Sequence, residues 1–375
     1  MKQRHKFLEH LTLDLNPTLQ SKRCGLDFLT LAARQSSKFQ FFTFYILFFT
    51  FCLSPISVGA VDITQQLHRP LNSSVLRESR DDADSLLRIA QDQYASGYAE
   101  KTVESCLRAL DTYHAVGDLK AQGITYDLLA KAYVGLSRFK EAEDAFRRRL
   151  AIARDTQDFQ SQIFALNNIS TLLLQQGESK PAGNTVEEAL TIARNVQNIE
   201  GEGLSLSNLG LVAARSGDYN KAIKLYESAL YFRRQTGNAI AEANTLNNLG
   251  DAYLGAANYQ DTIGAYGAAL RIAKTKSDRT NYLRAIDGLV TAHSAVGRYE
   301  RAFDLLEQRL AIAKESQNLR EELKSFESYA QLYEQMGNYP TASNFYERAI
   351  LLARTLKDDK RELLLVDRLT KMLKR

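Results

Sequence analysis

"SLSNLGLVAARSGDYNKAIKLYESAL", Ser205 to Leu230, reads as two helices joined by a turn. Leu206 and Leu209 recur at the spacing of one buried helical stripe, and the small Gly210 beside them admits a close neighbour. The pattern breaks at Gly217 and resumes at Tyr219. A second stripe then runs through Ala222 to Leu230. Small residues on both helices predict a tightly packed hairpin. Such a hairpin cannot bury its apolar face alone, so neighbours of the same kind must cover it.

Those neighbours are present. Blocks of forty residues starting at 81, 121, 161, 201, 241, 281 and 321 align without an insertion, the mark of a repeat architecture. Their sixth column reads Leu86, Tyr126, Leu166, Leu206, Leu246, Ile286, Phe326, and their ninth is equally apolar. The tenth is mostly small: Ala90, Ala130, Ser170, Gly210, Gly250, Val290, Ala330. The turn column holds Gly97, Ser137, Gly177, Gly217, Ala257, Gly297 and Gly337, with an aromatic two residues later in five blocks. An Asp or Asn recurs between successive blocks, as residues entering a helix do. Seven antiparallel hairpins therefore span residues 81–360, followed by a capping helix over 361–375 and preceded by a polar linker over 61–80.

These columns resemble the tetratricopeptide repeat, whose first helix follows large–apolar–small–Tyr and whose second carries Ala, aromatic and Ala. The resemblance implies an all-α, right-handed superhelical solenoid whose first helices line a concave groove. The third repeat departs most, with Ser179 in the aromatic column and Pro181 in the first turn of its second helix, a place that tolerates proline.

The amino terminus points elsewhere. Residues 1–60 hold seven of the 48 Lys/Arg and three of the 44 Asp/Glu, which leaves 41 of each beyond them. The repeats are thus neutral and lack the basic footprint of a nucleic-acid binder. Phe41–Leu53 is an uncharged apolar run followed by small residues, with Val58 and Ala60 spaced for signal-peptide cleavage. Residues 1–60 are expected to be an export signal to the periplasm or thylakoid lumen. With the following residues added, the run is long enough for a membrane anchor instead.

Catalytic signatures are missing: the chain has no Cys-x-x-Cys, His-Glu-x-x-His, phosphate loop or nucleophile elbow. Cys106 stands in an apolar column, His114 among cationic helix ends and His293 in a tyrosine column. All three are expected to be structural. Binding candidates lie on the first helices, where polar residues recur on adjacent columns. The seventh column supplies Asp127, Asn167, Ser207, Asn247, Asp287 and Glu327, and the eighth supplies Asn168, Asn208 and Asn248. Carboxamides donate and accept, which suits an extended peptide backbone. The seventh column, Asn167 and Asn247 foremost, is expected to touch a bound segment rather than hold the fold. For the eighth column, bonding between neighbouring repeats is an equal alternative.

Arg284 and Lys324 offer part of a carboxylate clamp, although Ser207 and Gly288 interrupt it. Asp251, Asp287 and Glu327 supply oxygen ligands of the kind that suit Mn²⁺ or Ca²⁺. The expected function is an exported scaffold that binds a protein segment and is not an enzyme. Size, export signal and repeat content also resemble the cyanobacterial periplasmic processing-associated tetratricopeptide proteins. That implies a photosystem II assembly factor that engages precursor D1, assists manganese supply, and meets the membrane through its partner or an uncleaved N-terminal segment. An intracellular regulator or adaptor of a signalling pathway is the alternative.

Overall fold

A computed structural model describes residues 73–374 of the chain, so the expected export signal or anchor lies outside the described residues. Fifteen helices and no strand occupy them. The first helices of successive hairpins are α1 (Ser73–Ala95), α3 (Leu119–Gly135), α5 (Phe159–Gln175), α7 (Ile199–Arg215), α9 (Ala239–Gly255), α11 (Arg279–Ala295) and α13 (Leu319–Gln335). The second helices are α2 (Ala99–Val116), α4 (Phe139–Asp155), α6 (Ser179–Asn195), α8 (Tyr219–Gln235), α10 (Tyr259–Thr275), α12 (Tyr299–Glu315) and α14 (Tyr339–Thr355), and α15 (Asp359–Leu373) follows. The chain forms the all-α superhelical repeat that its columns predict. One boundary differs: the linker expected up to residue 80 gives way to helix at Ser73.

Each helix from α1 to α14 stops for the same local reason. One residue takes a left-handed backbone every twenty positions, from Gly97 through Lys357, and its neighbours close the last turn. At Gly217, for instance, the amide of Asp218 reaches back to the carbonyl of Ala213 at 3.0 Å, the Schellman arrangement. The recurring Asp or Asn then starts the next first helix. Asp118, Asp158, Asn198, Asn238, Asp278, Asn318 and Asp358 each accept a hydrogen bond from a backbone N–H of the first turn, the N-cap role of short polar side chains.

Ala257 is a place where this design is strained. It takes φ +57° where five other hairpins use glycine, and a Cβ in that conformation costs about 1 kcal/mol. Ala257→Gly is expected to stabilise the protein by about 0.5–1 kcal/mol, read from the urea midpoint at unchanged m. A destabilised variant would show that the turn is held by something other than local backbone preference.

Inside each hairpin, the tenth column and its partner on the second helix are matched in size. A Cβ on Gly210 would lie 2.7 Å from the Tyr226 ring, and one on Gly250 would lie 2.8 Å from Tyr266. Where the tenth column is Val290, its counterpart shrinks to the buried Leu306. Cys106 is fully buried, and burial pushes its thiol pKa up to about 12, as expected of a packing residue. His293 is 7% exposed, and burial together with Arg298 and Arg301 lowers its pKa.

Candidate functional site: the first-helix stripe

First helices of successive hairpins approach one another more closely than second helices do: α1 meets α3, α5 meets α7, α7 meets α9, and α9 meets α11. The array therefore curves with its first helices inside. In the middle of each from α3 to α13 most residues are buried, apart from a stripe spaced i, i+4, i+7. That stripe reads Ile124–Leu128–Lys131 on α3, Phe164–Asn168–Thr171 on α5, Leu204–Asn208–Leu211 on α7 and Asn244–Asn248–Asp251 on α9. It continues as Lys324–Ser328–Gln331 on α13, while on α11 Arg284 and Thr291 stay open, Gly288 between them is buried and Asp287 is exposed in its place. Its floor mixes apolar side chains with carboxamides across α3–α7 and is polar and charged across α9–α13.

Asp287 apart, which is exposed, the seventh column does not belong to this surface, and the expectation for Asn167 and Asn247 is corrected. Asn167 is 1% exposed and Asn247 is fully buried. Asn167 donates to the Ile163 carbonyl at 2.8 Å and to Ser205 of the next hairpin at 3.0 Å, while it accepts from Asn208 at 2.8 Å. Asn247 donates to both the backbone carbonyl and the side-chain oxygen of Asn281 in the next hairpin, each at 3.1 Å. Ser207 is buried as well. The cause is geometric: one residue before the open stripe, the side chain turns into the seam between hairpins. There a polar residue must find partners, and the carboxamide N–H groups find them in the next repeat, while the Asn247 Oδ1 has no hydrogen-bond partner.

The charged members of that column are likewise spent on the fold. Asp127 accepts from Arg149 and, at 2.6 Å, from Lys131, with Asn168 of the next hairpin at 3.4 Å. Asp287 accepts from Arg309 at 2.5 Å, and Arg309 also donates to Glu321 at 2.9 Å and Ser325 at 2.8 Å. Glu327 accepts from Arg361 on α15.

The eighth column faces the groove. Asn168, Asn208 and Asn248 are half-buried and stand one per hairpin. Asn168 and Asn208 use an N–H on the preceding hairpin. Among the described residues no donor reaches the carboxamide oxygen of either. Asn248 accepts from Arg284 at 2.7 Å. Arg284 also pairs with Asp251, which in turn accepts from the buried Tyr266 hydroxyl. Lys324 is tied to Glu321 at 3.2 Å, so neither member of the partial clamp stands alone. Gly288 leaves the stripe because the Tyr266 ring occupies the space of its side chain.

Asp251, Asp287 and Glu327 do not fit a metal site. Each faces a guanidinium, from Arg284, Arg309 and Arg361 respectively, which neutralises the donor a cation would need. Among the described residues no three His, Cys, Asp or Glu side chains converge. Ile124, Phe164 and Leu204, which the column reading passed over, are the apolar part of the surface. Their signal was the departure from polarity on a column that is Asn244, Arg284 and Lys324 further on.

Comparison with known proteins agrees with this architecture. One family model for the tetratricopeptide repeat matches residues 201–275 and 242–315, and another matches 125–158 and 325–360. A model for anaphase-promoting complex subunit 5 matches residues 160–212. No curated protein matches the chain. The solved structure of apo RapI is 14% identical with a TM-score of 0.57, over 74% of this chain and 99% of that one. A signal transduction ATPase with a tetratricopeptide repeat sensor from Pyrococcus horikoshii is 18% identical with a TM-score of 0.58, over 78% of this chain and 45% of that one. The Rap conjugation gene regulator of the plasmid pLS20, solved in complex with the Phr* peptide, is 16% identical with a TM-score of 0.56, over 88% of both chains. At these identities the likeness concerns the fold alone.

Proposed function

The chain belongs to the tetratricopeptide-repeat superfamily, and from that premise we propose that it is a scaffold that seats an extended protein segment along the first-helix stripe. One observation carries the reading: the stripe pairs an apolar side chain with a carboxamide on consecutive hairpins, Phe164 with Asn168 and Leu204 with Asn208. The apolar side chains take up side chains of the segment, and the free amide oxygens accept its backbone N–H groups. A relative of the same fold solved with a bound peptide supports it.

A photo-crosslinking phenylalanine at Leu204 is expected to capture the segment, whereas one at Tyr231, 62% exposed on α8, is not. Equal capture at both places would sink the groove assignment. Each hydrogen bond is worth about 0.5–1.5 kcal/mol, so Asn168→Ala with Asn208→Ala should weaken the captured partner about tenfold. Asn167→Ala and Asn247→Ala should instead lower the melting temperature.

We extend the proposal to compartment and partner. The apolar run Phe41–Leu53 with Val58 and Ala60 after it supports export. The size and repeat content support an assembly factor for photosystem II with precursor D1 as the bound chain. Calorimetric titration of the full chain with a synthetic precursor D1 carboxy-terminal peptide tests the partner. Saturable binding, weakened by the Asn168/Asn208 double substitution, is expected. No heat of binding would remove D1 while leaving the crosslinking result intact. The described residues provide no donor set for manganese, so no metal step is assigned to them.

A further inference from the structure

Arg233 on α8 is a buried cation with no anion beside it. Its column is alanine in five of the seven hairpins, from Ala153 to Ala353. Gly203 of α7 makes room for the longer side chain: a Cβ there would lie 3.5 Å from the Arg233 Cδ. Arg233 is 6% exposed, and among the described residues its side chain makes no hydrogen bond or ion pair. The Nε is shut off from solvent without a partner, and only the terminal nitrogens reach the surface. Burial lowers its pKa and the charge of Glu200 opposes that shift, but a guanidinium keeps its proton in a protein. An unpaired charge in such a place is costly. No chain end accounts for it, because Arg233 stands in the fourth of the seven hairpins.

The tip of this side chain lies at the groove. In the first hairpin the same column holds Tyr113, whose hydroxyl donates to Asp84 at 2.7 Å, and Asp84 stands in the column of Leu204. Arg233 therefore ends at the rim of the stripe beside Leu204, with Glu200 one turn earlier on α7. We propose that Arg233 is a carboxylate-binding site that takes an aspartate or glutamate of the bound segment, next to the apolar side chain that Leu204 receives. The inference rests on the reading of the stripe as the seat of that segment, and it specifies an acidic residue at one place along it. The guanidinium fork matches the two oxygens of a carboxylate. Carboxylates are also what the comparable side chains hold: Tyr113 has Asp84, Arg149 has Asp127, and Arg309 has both Asp287 and Glu321. Arg309 shows that one guanidinium serves two carboxylates, so Glu200 does not bar a second.

Two arms test the site on the full chain. In the first, acetate replaces chloride at constant ionic strength while the melting temperature is followed. A ligand held only by the folded state stabilises it, so acetate is expected to raise the melting temperature of the wild-type chain and not that of Arg233→Met. In chloride Arg233→Met should melt higher than wild type, because the unpaired charge is gone; a side chain that merely holds the fold gives the opposite sign. In the second arm, a peptide of the segment captured at Leu204 is titrated by calorimetry. Changing its acidic residue nearest the crosslink to the amide is expected to weaken binding about tenfold or more, and to change nothing against Arg233→Met. An acetate response equal in wild type and Arg233→Met overturns the proposal, as it would if a carboxylate of residues 1–72 already held the guanidinium. So does a Glu200→Gln variant that melts lower in chloride, because Glu200 is then the partner, or a captured segment without an acidic residue. Failure to capture any segment at Leu204 would remove the scaffold reading, and the acetate arm would still decide the anion site.

Discussion

Replacing Arg309 with alanine is expected to cost about 2–4 kcal/mol and to uncouple the last hairpin from the array. Arg309 is 1% exposed, the largest fully buried side chain among those described. Its guanidinium is satisfied on every side: Asp287 from α11, and Glu321, its backbone carbonyl and Ser325 from α13. Removing the cation leaves two carboxylates facing each other across the hairpin seam. Asp287 is 48% exposed and Glu321 19% on their side chains, so water recovers part of the loss, which sets the figure below the ceiling for a fully buried pair. In a solenoid, stability is a sum of hairpin and nearest-neighbour terms, so the loss should appear locally. Hydrogen exchange is expected to speed up in α13–α15 while α3–α9 stay protected. Uniform loss of protection along the chain would mean that the array unfolds as one unit. Arg309→Lys should recover only part of the stability, because an ammonium cannot span three partners as the fork does.

The hairpins were legible because the period is unbroken: a column that keeps its character through seven blocks states which side chains face inward. The third-dimensional neighbours of those columns were less so. Asn167 and Asn247 looked like a groove surface because polarity on a helix ordinarily marks solvent. Here it marks a seam where two first helices meet and polar side chains bond across it. The covariation that would have revealed this was nonetheless in the chain. Arginine occurs in the column of Ala109, Ala189, Ala229, Ala269 and Ala349 only at Arg149 and Arg309, and only those two blocks place aspartate in the seventh column, as Asp127 and Asp287. Reading columns in pairs finds the ion pairs; reading them singly does not. Arg233 has no such partner column. It replaces alanine in another column, is 6% exposed, and has an Nε without a hydrogen-bond partner. Only Gly203 opposite it, whose Cβ would come 3.5 Å from its side chain, hints at the space it takes.

Gly288→Ala is the second substitution with a large expected effect, at a position where sequence rules alone predict the reverse. In an open helix the change would gain about 1 kcal/mol from alanine's better propensity. Here the new methyl would overlap the ring of Tyr266, which is 1% exposed and wedged between Gly288 and Gly250. The ring cannot simply swing aside, because its hydroxyl is held by Asp251. Overpacking of this kind costs about 1–3 kcal/mol, and the net change is expected to be destabilising. Tyr266 also supports the rung above it: Asp251 holds Arg284, and Arg284 holds the carboxamide of Asn248. A displaced ring should therefore loosen that rung and weaken the bound segment, although residue 288 itself offers nothing to a ligand. Tyr266→Leu removes the obstructing ring, so in the Gly288→Ala background it should cost less than it does alone. Urea melts of the two single variants and the double are expected to give a favourable coupling of about 1 kcal/mol or more. Strict additivity would show that the glycine is tolerated for some reason other than the ring, and would separate the packing between hairpins five and six from the geometry of the groove.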